Sequence, residues 1–201
     1  MGLITKIRSL IRTNENKKNK NNKKEEIVEL FIKVVIIGDP CVGKTSILNK
    51  YANTMPSADN FYMVRKVIDY KKYRVGLKLI EACRENTSKI YRGADAYIIV
   101  FDLGDQHCLY TVLQWMREIN RYGYDGEHSL NFILVGNKAD LSNDVVIHEN
   151  DVHNFFATNK VDGFDNMLYM ETSVITGQNI ENLFKKITKN HLKSLKPLSL
   201  S

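Results

Sequence analysis

Gly38-Asp39-Pro40-Cys41-Val42-Gly43-Lys44-Thr45 reads G-x-x-x-x-G-K-T and follows the apolar run Phe31-Ile32-Lys33-Val34-Val35-Ile36-Ile37. Behind it, Ser46-Ile47-Leu48-Asn49-Lys50-Tyr51 starts a helical pattern. A buried strand, a tight glycine-framed loop and a helix are the context this motif requires. Backbone N–H groups from Gly38 to Ser46 are then expected to wrap a phosphate, helped by the partial positive charge of the helix N-terminus. Lys44 is placed to reach β- and γ-phosphate oxygens, and the Thr45 hydroxyl to ligate Mg²⁺. A nucleoside triphosphate or diphosphate is the expected ligand. Cys41 is read as a small residue tolerated in a tight turn.

Outward from the loop, strand patterns alternate with helical ones. Strands are expected at 32–37, about 66–73, 75–81, 96–102, 131–136 and 167–171. Helices are expected at 44–53, 106–122, 148–158 and 179–193, with a short one near 87–92. This alternation predicts an α/β fold, a mostly parallel six-stranded sheet with helices on both faces. Ligands of such sheets bind at the carboxyl ends of the strands, where the glycine loop lies. Trp115, Leu113 and Ile119 stand at helical spacing and read as core. The five histidines are scattered and do not suggest a metal site.

A second polar cluster follows another apolar strand. Phe132-Ile133-Leu134-Val135-Gly136 leads into Asn137-Lys138-Ala139-Asp140-Leu141. The Asp140 carboxylate can accept from both N1–H and the exocyclic N2–H₂ of guanine, whereas adenine offers neither donor at that edge. The Lys138 stem can cover the base while its head reaches the phosphate loop. Tyr169-Met170-Glu171-Thr172-Ser173 then closes a further strand, and a backbone N–H after Ser173 can donate to guanine O6. This guanine clamp counts against the alternative of a P-loop metabolite kinase, which has no need of one.

Strand–GxxxxGK[ST], NKxD and ETS, in this order, resemble the Ras-like small GTPases, with the Rab family the nearest look. Tyr91-Arg92-Gly93-Ala94-Asp95 and the strand ending Val100-Phe101-Asp102 also resemble Rab sequences. The resemblance covers roughly residues 31–192. It implies a P-loop NTPase fold, GTP or GDP with Mg²⁺, and effector and regulator proteins as partners. It implies that Gly38, Asp39, Pro40, Cys41, Val42, Gly43, Lys44, Thr45 and Ser46 hold phosphates, and that Asn137, Lys138, Asp140, Leu141, Ser173, Val174 and Ile175 hold guanine. Thr45 and Glu81 become the metal ligands.

Both switch regions depart from the family pattern. No Thr lies between 55 and 70. Met63 or Arg65, depending on the alignment, stands where the family's Thr ligates Mg²⁺ and holds the γ-phosphate. Met55 or Pro56 has the spacing of the aromatic that stacks on guanine, with Phe61 or Tyr62 as substitutes. In place of Trp-Asp-Thr-Ala-Gly-Gln-Glu the chain has Ile80-Glu81-Ala82-Cys83-Arg84-Glu85-Asn86. Arg84 replaces a mobile glycine, and Glu85 replaces the glutamine that orients the attacking water. Glu85 is therefore the one candidate catalytic position, in degenerate form. Two readings follow: a Rab-like GTP/GDP switch with slow hydrolysis, serving membrane traffic or signalling, or a hydrolysis-deficient GTP-binding scaffold.

The remaining segments read differently. Residues 1–12 form a basic amphipathic pattern, with Leu3, Ile4, Ile7, Leu10 and Ile11 on one face. A helix there looks more like that of the Arf family. Gly2 follows the initiator Met, but Lys6 stands where a myristoylation pattern takes Ser or Thr. Residues 13–30 read as a flexible Lys/Asn-rich linker, 31–193 as the GTPase domain and 194–201 as a disordered tail. The net charge of +6 is concentrated: residues 1–26 hold eight basic and three acidic side chains, while the rest is nearly balanced. Such a core gives no footprint for nucleic acid, and the basic end suits an anionic membrane reached through residues 2–24, or an acidic partner. Three scattered cysteines, no secretory signal and no long apolar run point to a cytoplasmic protein, peripheral at most on a cytosolic membrane face. The tail carries no cysteine, so no prenyl anchor is expected there.

Overall fold

The structure, a computed structural model, describes residues 28–53, 63–71, 73–82, 87–124, 130–141 and 143–194. The expectations for the N-terminal helix, most of the linker, the aromatics between 55 and 62, Cys83, Arg84, Glu85 and residues 195–201 lie outside these residues.

β1 (Val28–Ile37) is the centre of the sheet, with β3 on one side and β4 on the other, both parallel to it. A strand flanked this way is covered on both faces, which is why it reads as a nearly unbroken apolar run. Ile32 and Val34 through Ile37 are buried accordingly. The strand opens at Val28, earlier than residue 32, so residues 28–30 of the expected linker are strand. The apolar run marks only its buried part; Val28 to Phe31 pair with Tyr73 to Gly76 while remaining partly exposed.

β2 (Met63–Tyr70) and β3 (Tyr73–Glu81) form an antiparallel hairpin, with Tyr70 opposite Tyr73. Lys71, which follows β2, has φ 54°. Positive φ is what two-residue hairpin turns demand. The turn therefore lies a few residues before the break expected near residue 74, where no glycine or proline marks it. Beyond β1 the chain continues through α1 (Lys44–Ala52), α2 (Thr87–Tyr91), β4 (Ala96–Asp102), α3 (Cys108–Gly123), β5 (Phe132–Asn137), α4 (Glu149–Thr158), β6 (Tyr169–Glu171) and α5 (Ile180–Ser194). The strand order is β2-β3-β1-β4-β5-β6, and only β2 runs antiparallel to its neighbour. This is the mostly parallel six-stranded sheet that the alternation predicts.

Each sheet face has its own core. Val35, Ile37, Ile99, Phe101 and Leu134 pack with Leu113, Trp115, Met116 and Ile119 of α3 and Val152 and Phe156 of α4. Val34, Ile36, Ile98 and Val135 pack with Ile47, Leu48 and Tyr51 of α1 and Leu183, Phe184 and Ile187 of α5. Burying each such side chain contributes about 1.5–3 kcal/mol. The chain reverses its direction of sheet growth at β1, so a crevice opens at that strand's carboxyl end, immediately before Gly38.

Candidate functional site

Both framing glycines are fixed by close approach. Gly38 has φ 145°, and a Cβ on it would lie 2.1 Å from the Val100 carbonyl oxygen of β4. Gly43 has φ 100°, and a Cβ there would lie 2.3 Å from Asn137 Nδ2. No side chain fits at either position without moving backbone or a buried amide. Between them Cys41 holds φ 64° and is exposed. A non-glycine residue in that left-handed region carries roughly 1–2 kcal/mol of strain. The loop is thus a shape imposed by its surroundings.

Lys44 opens α1 and points back into the loop. Its Nζ donates to the carbonyls of Gly38 at 2.9 Å and Asp39 at 2.7 Å. The ammonium is therefore buried inside the turn, where a phosphate oxygen entering the loop would meet it. One residue on, the Thr45 hydroxyl donates to Glu81 Oε2 at 2.7 Å. Glu81 ends β3, and Ala82 beyond it bonds through its N–H to the Ile36 carbonyl of β1 at 2.9 Å. Strand pairing thus carries the carboxylate to the threonine. One hydroxyl beside one carboxylate is a hard-oxygen donor set suited to Mg²⁺ that keeps waters and phosphate oxygens as its other ligands. Among the described residues no group of three or more His, Cys, Asp or Glu is placed to hold a metal.

The other wall comes from the ends of β5 and β6. Asn137 is buried, and its Nδ2 donates to the Val42 carbonyl of the phosphate loop at 2.8 Å. Its Oδ1 accepts from the Thr172 hydroxyl at 3.1 Å. One side chain thereby ties three loops that are far apart in sequence. Ser173 Oγ donates to Asp140 Oδ1 at 2.5 Å and accepts from the Thr176 N–H at 3.1 Å. The serine is fully buried, so this pairing fixes the carboxylate's direction. Leu141 and Ile175 present exposed apolar side chains beside this pair, and Val174 is partly buried.

Lys138 departs from expectation. Its Nζ pairs with Asp102 Oδ2 at 2.6 Å, at the end of β4, and not with the phosphate loop. The reason is register: Asp102 lies opposite Asn137 in the β4–β5 pair, adjacent to Lys138. Asp102 and Thr172 are site residues that sequence reasoning missed; polar residues ending neighbouring strands were the available signal. Trp115 is core, as its helical spacing predicts, yet its Nε1 also donates to Asp39 Oδ1 at 3.1 Å. Nothing in linear spacing links two residues so far apart. Cys108, by contrast, is buried in the α3 core, and burial, helped by Asp105 and Asp102, pushes its thiol up to about 12. It belongs to the packing and not to the site.

A glycine-framed phosphate loop at the switch point of this sheet defines a P-loop NTPase of Ras-like fold. A sequence model of the Ras family matches residues 33–193. Ras-related protein Rab-1D of Dictyostelium discoideum is 30% identical over 172 residues, covering 81% of this chain and 80% of that protein. RabG2 of the same organism is 31% identical, covering 82% of this chain and 86% of its own length. GTP-binding protein ypt1 of Schizosaccharomyces pombe is 30% identical, covering 80% of each. The chain belongs to the Ras family, as a Rab-like small GTPase.

Proposed function

We propose that this chain binds GTP and GDP with Mg²⁺ and turns GTP over slowly, as a Rab-like switch in membrane traffic or signalling. The observation that carries this is Asn137, whose amide joins the phosphate loop through Val42 to the base-side loop through Thr172. That bridge gives one ligand a phosphate cradle and a guanine clamp at a fixed separation. Gly38 to Ser46 take the phosphates, and the Asp140–Ser173 pair takes the Watson–Crick edge of the base. Thr45 and Glu81 would hold Mg²⁺, which when bound neutralises charge on the phosphate oxygens.

Slow turnover is the reading of the replaced switch residues. By its place in the motif Glu85 replaces a water-orienting glutamine, and an anionic side chain beside a γ-phosphate would repel it rather than orient water. The same replacements support a second reading, a GTP-binding scaffold without hydrolysis. Effector and regulator proteins are the partners that membership of this family implies. One experiment separates the readings: release the nucleotide from freshly purified protein by denaturation after hours with Mg²⁺, and separate it by chromatography. Slow turnover predicts GTP converting to GDP over hours. Persistent GTP would favour the scaffold, and adenine nucleotide or none would overturn both.

A further inference from the structure

We infer that Trp115 is a positioning residue for the phosphate loop, acting through the carboxylate of Asp39. This rests on the reading of the site as one for a guanine nucleotide. Asp39 is the only acidic residue from Gly38 to Ser46. A carboxylate free to swing toward bound phosphates would repel them, and the repulsion is strongest where water is excluded. Here that carboxylate is tethered: Oδ1 accepts the indole N–H of Trp115 at 3.1 Å. The donor is rigid, because Trp115 is 4% exposed and packed in the α3 core with Leu113, Met116 and Ile119. A buried indole N–H needs a partner, and the loop supplies it. Meanwhile the Asp39 carbonyl accepts from Lys44 Nζ at 2.7 Å. The motif lysine thus holds the residue's backbone, and a helix outside the motif holds its side chain. The indole keeps the loop's one negative charge on the α3 side and fixes the start of the turn.

The test is release of GDP from the full chain, with Trp115→Phe, Asp39→Asn and the double variant. Trp115→Phe keeps an aromatic ring in the core but removes the indole donor that positions the carboxylate. GDP release is expected to speed up roughly tenfold, the scale of a lost bond to a charged group. Asp39→Asn in that background removes the mispositioned charge, and release is expected to slow again toward the wild-type rate. A purely packing role for Trp115 predicts no such rescue. A double variant as fast as Trp115→Phe, or a Trp115→Phe chain releasing GDP as wild type does, would overturn the inference. Should Trp115→Phe fail to fold, Asp39→Ala leaves the core untouched, and Trp115 is the chain's only tryptophan. Its emission is expected to shift in Asp39→Ala, and an emission spectrum identical to wild type would overturn the inference. A wild-type chain that binds no guanine nucleotide would instead overturn the reading beneath it.

Discussion

Asp140 illustrates what single residues decide here. Its carboxylate is oriented by Ser173, which the Thr176 N–H aims in turn. A carboxylate already fixed in direction can meet two guanine donors with little further ordering on binding. Hydrogen bonds to charged groups each contribute about 1.5–3 kcal/mol. Asp140→Ala is therefore expected to weaken GDP binding by roughly 10²-fold or more. Ser173→Ala, which removes only the orienting bond, is expected to have a smaller effect of roughly tenfold. Fluorescence titration with a labelled GDP measures both, and an Asp140→Ala chain binding as wild type would remove that residue from base recognition. The contrast with Lys138 is instructive at this scale. The identity and spacing of the NKxD residues were legible, but where the ammonium goes depended on Asp102, which only β4–β5 register brings alongside.

At the scale of elements, α5 carries a histidine whose burial links stability to pH. His191 lies partly buried on that helix, and burial lowers its pKa, opposed by the Asp95 carboxylate and a hydrogen bond to the Asp95 backbone. The folded state therefore favours neutral imidazole. The stabilisation is whole above about pH 6.5, the ordinary histidine value. It is lost as the pH falls from there toward the folded pKa, because the unfolded chain takes up the proton first. The thermal midpoint is expected to fall on acidification below neutrality, with a shallower fall in His191→Gln; equal slopes would contradict this. Most elements were legible because their apolar period is unmistakable: β4 and β5 are buried runs, and α3 shows a helical stripe. What escaped was set by tertiary contact. The exposed start of β1 is strand only because β3 pairs with it, and the β2–β3 turn uses a lysine in the left-handed region. The Trp115–Asp39 bond joins two elements that no local pattern connects.

Across the whole molecule, the near-balanced charge of residues 27–201 and the basic residues 1–26 divide the labour expected of the chain. Among the described residues no helix is long and apolar enough to cross a membrane. We propose that contact with an anionic bilayer falls to the basic N-terminal segment, which gives reversible binding at most. Removing residues 1–26 is expected to abolish co-sedimentation with anionic liposomes while leaving nucleotide affinity unchanged, since the site is built from β1 onward. Undiminished co-sedimentation would contradict that assignment. That the sheet is mostly parallel with helices on both faces was readable from the alternation, whereas the strand order and the antiparallel β2–β3 pair were not, because they rest on pairing between residues distant in sequence. We propose that one ligand spans the phosphate loop and the Asp140–Ser173 pair, so that base identity matters as much as phosphate. Competition of GDP and ADP for the nucleotide-free protein tests it most directly. GDP is expected to displace a labelled nucleotide at concentrations at least roughly 10³-fold lower than ADP, because the wrong base leaves a buried polar clamp unpaired. Equal competition by the two would contradict it.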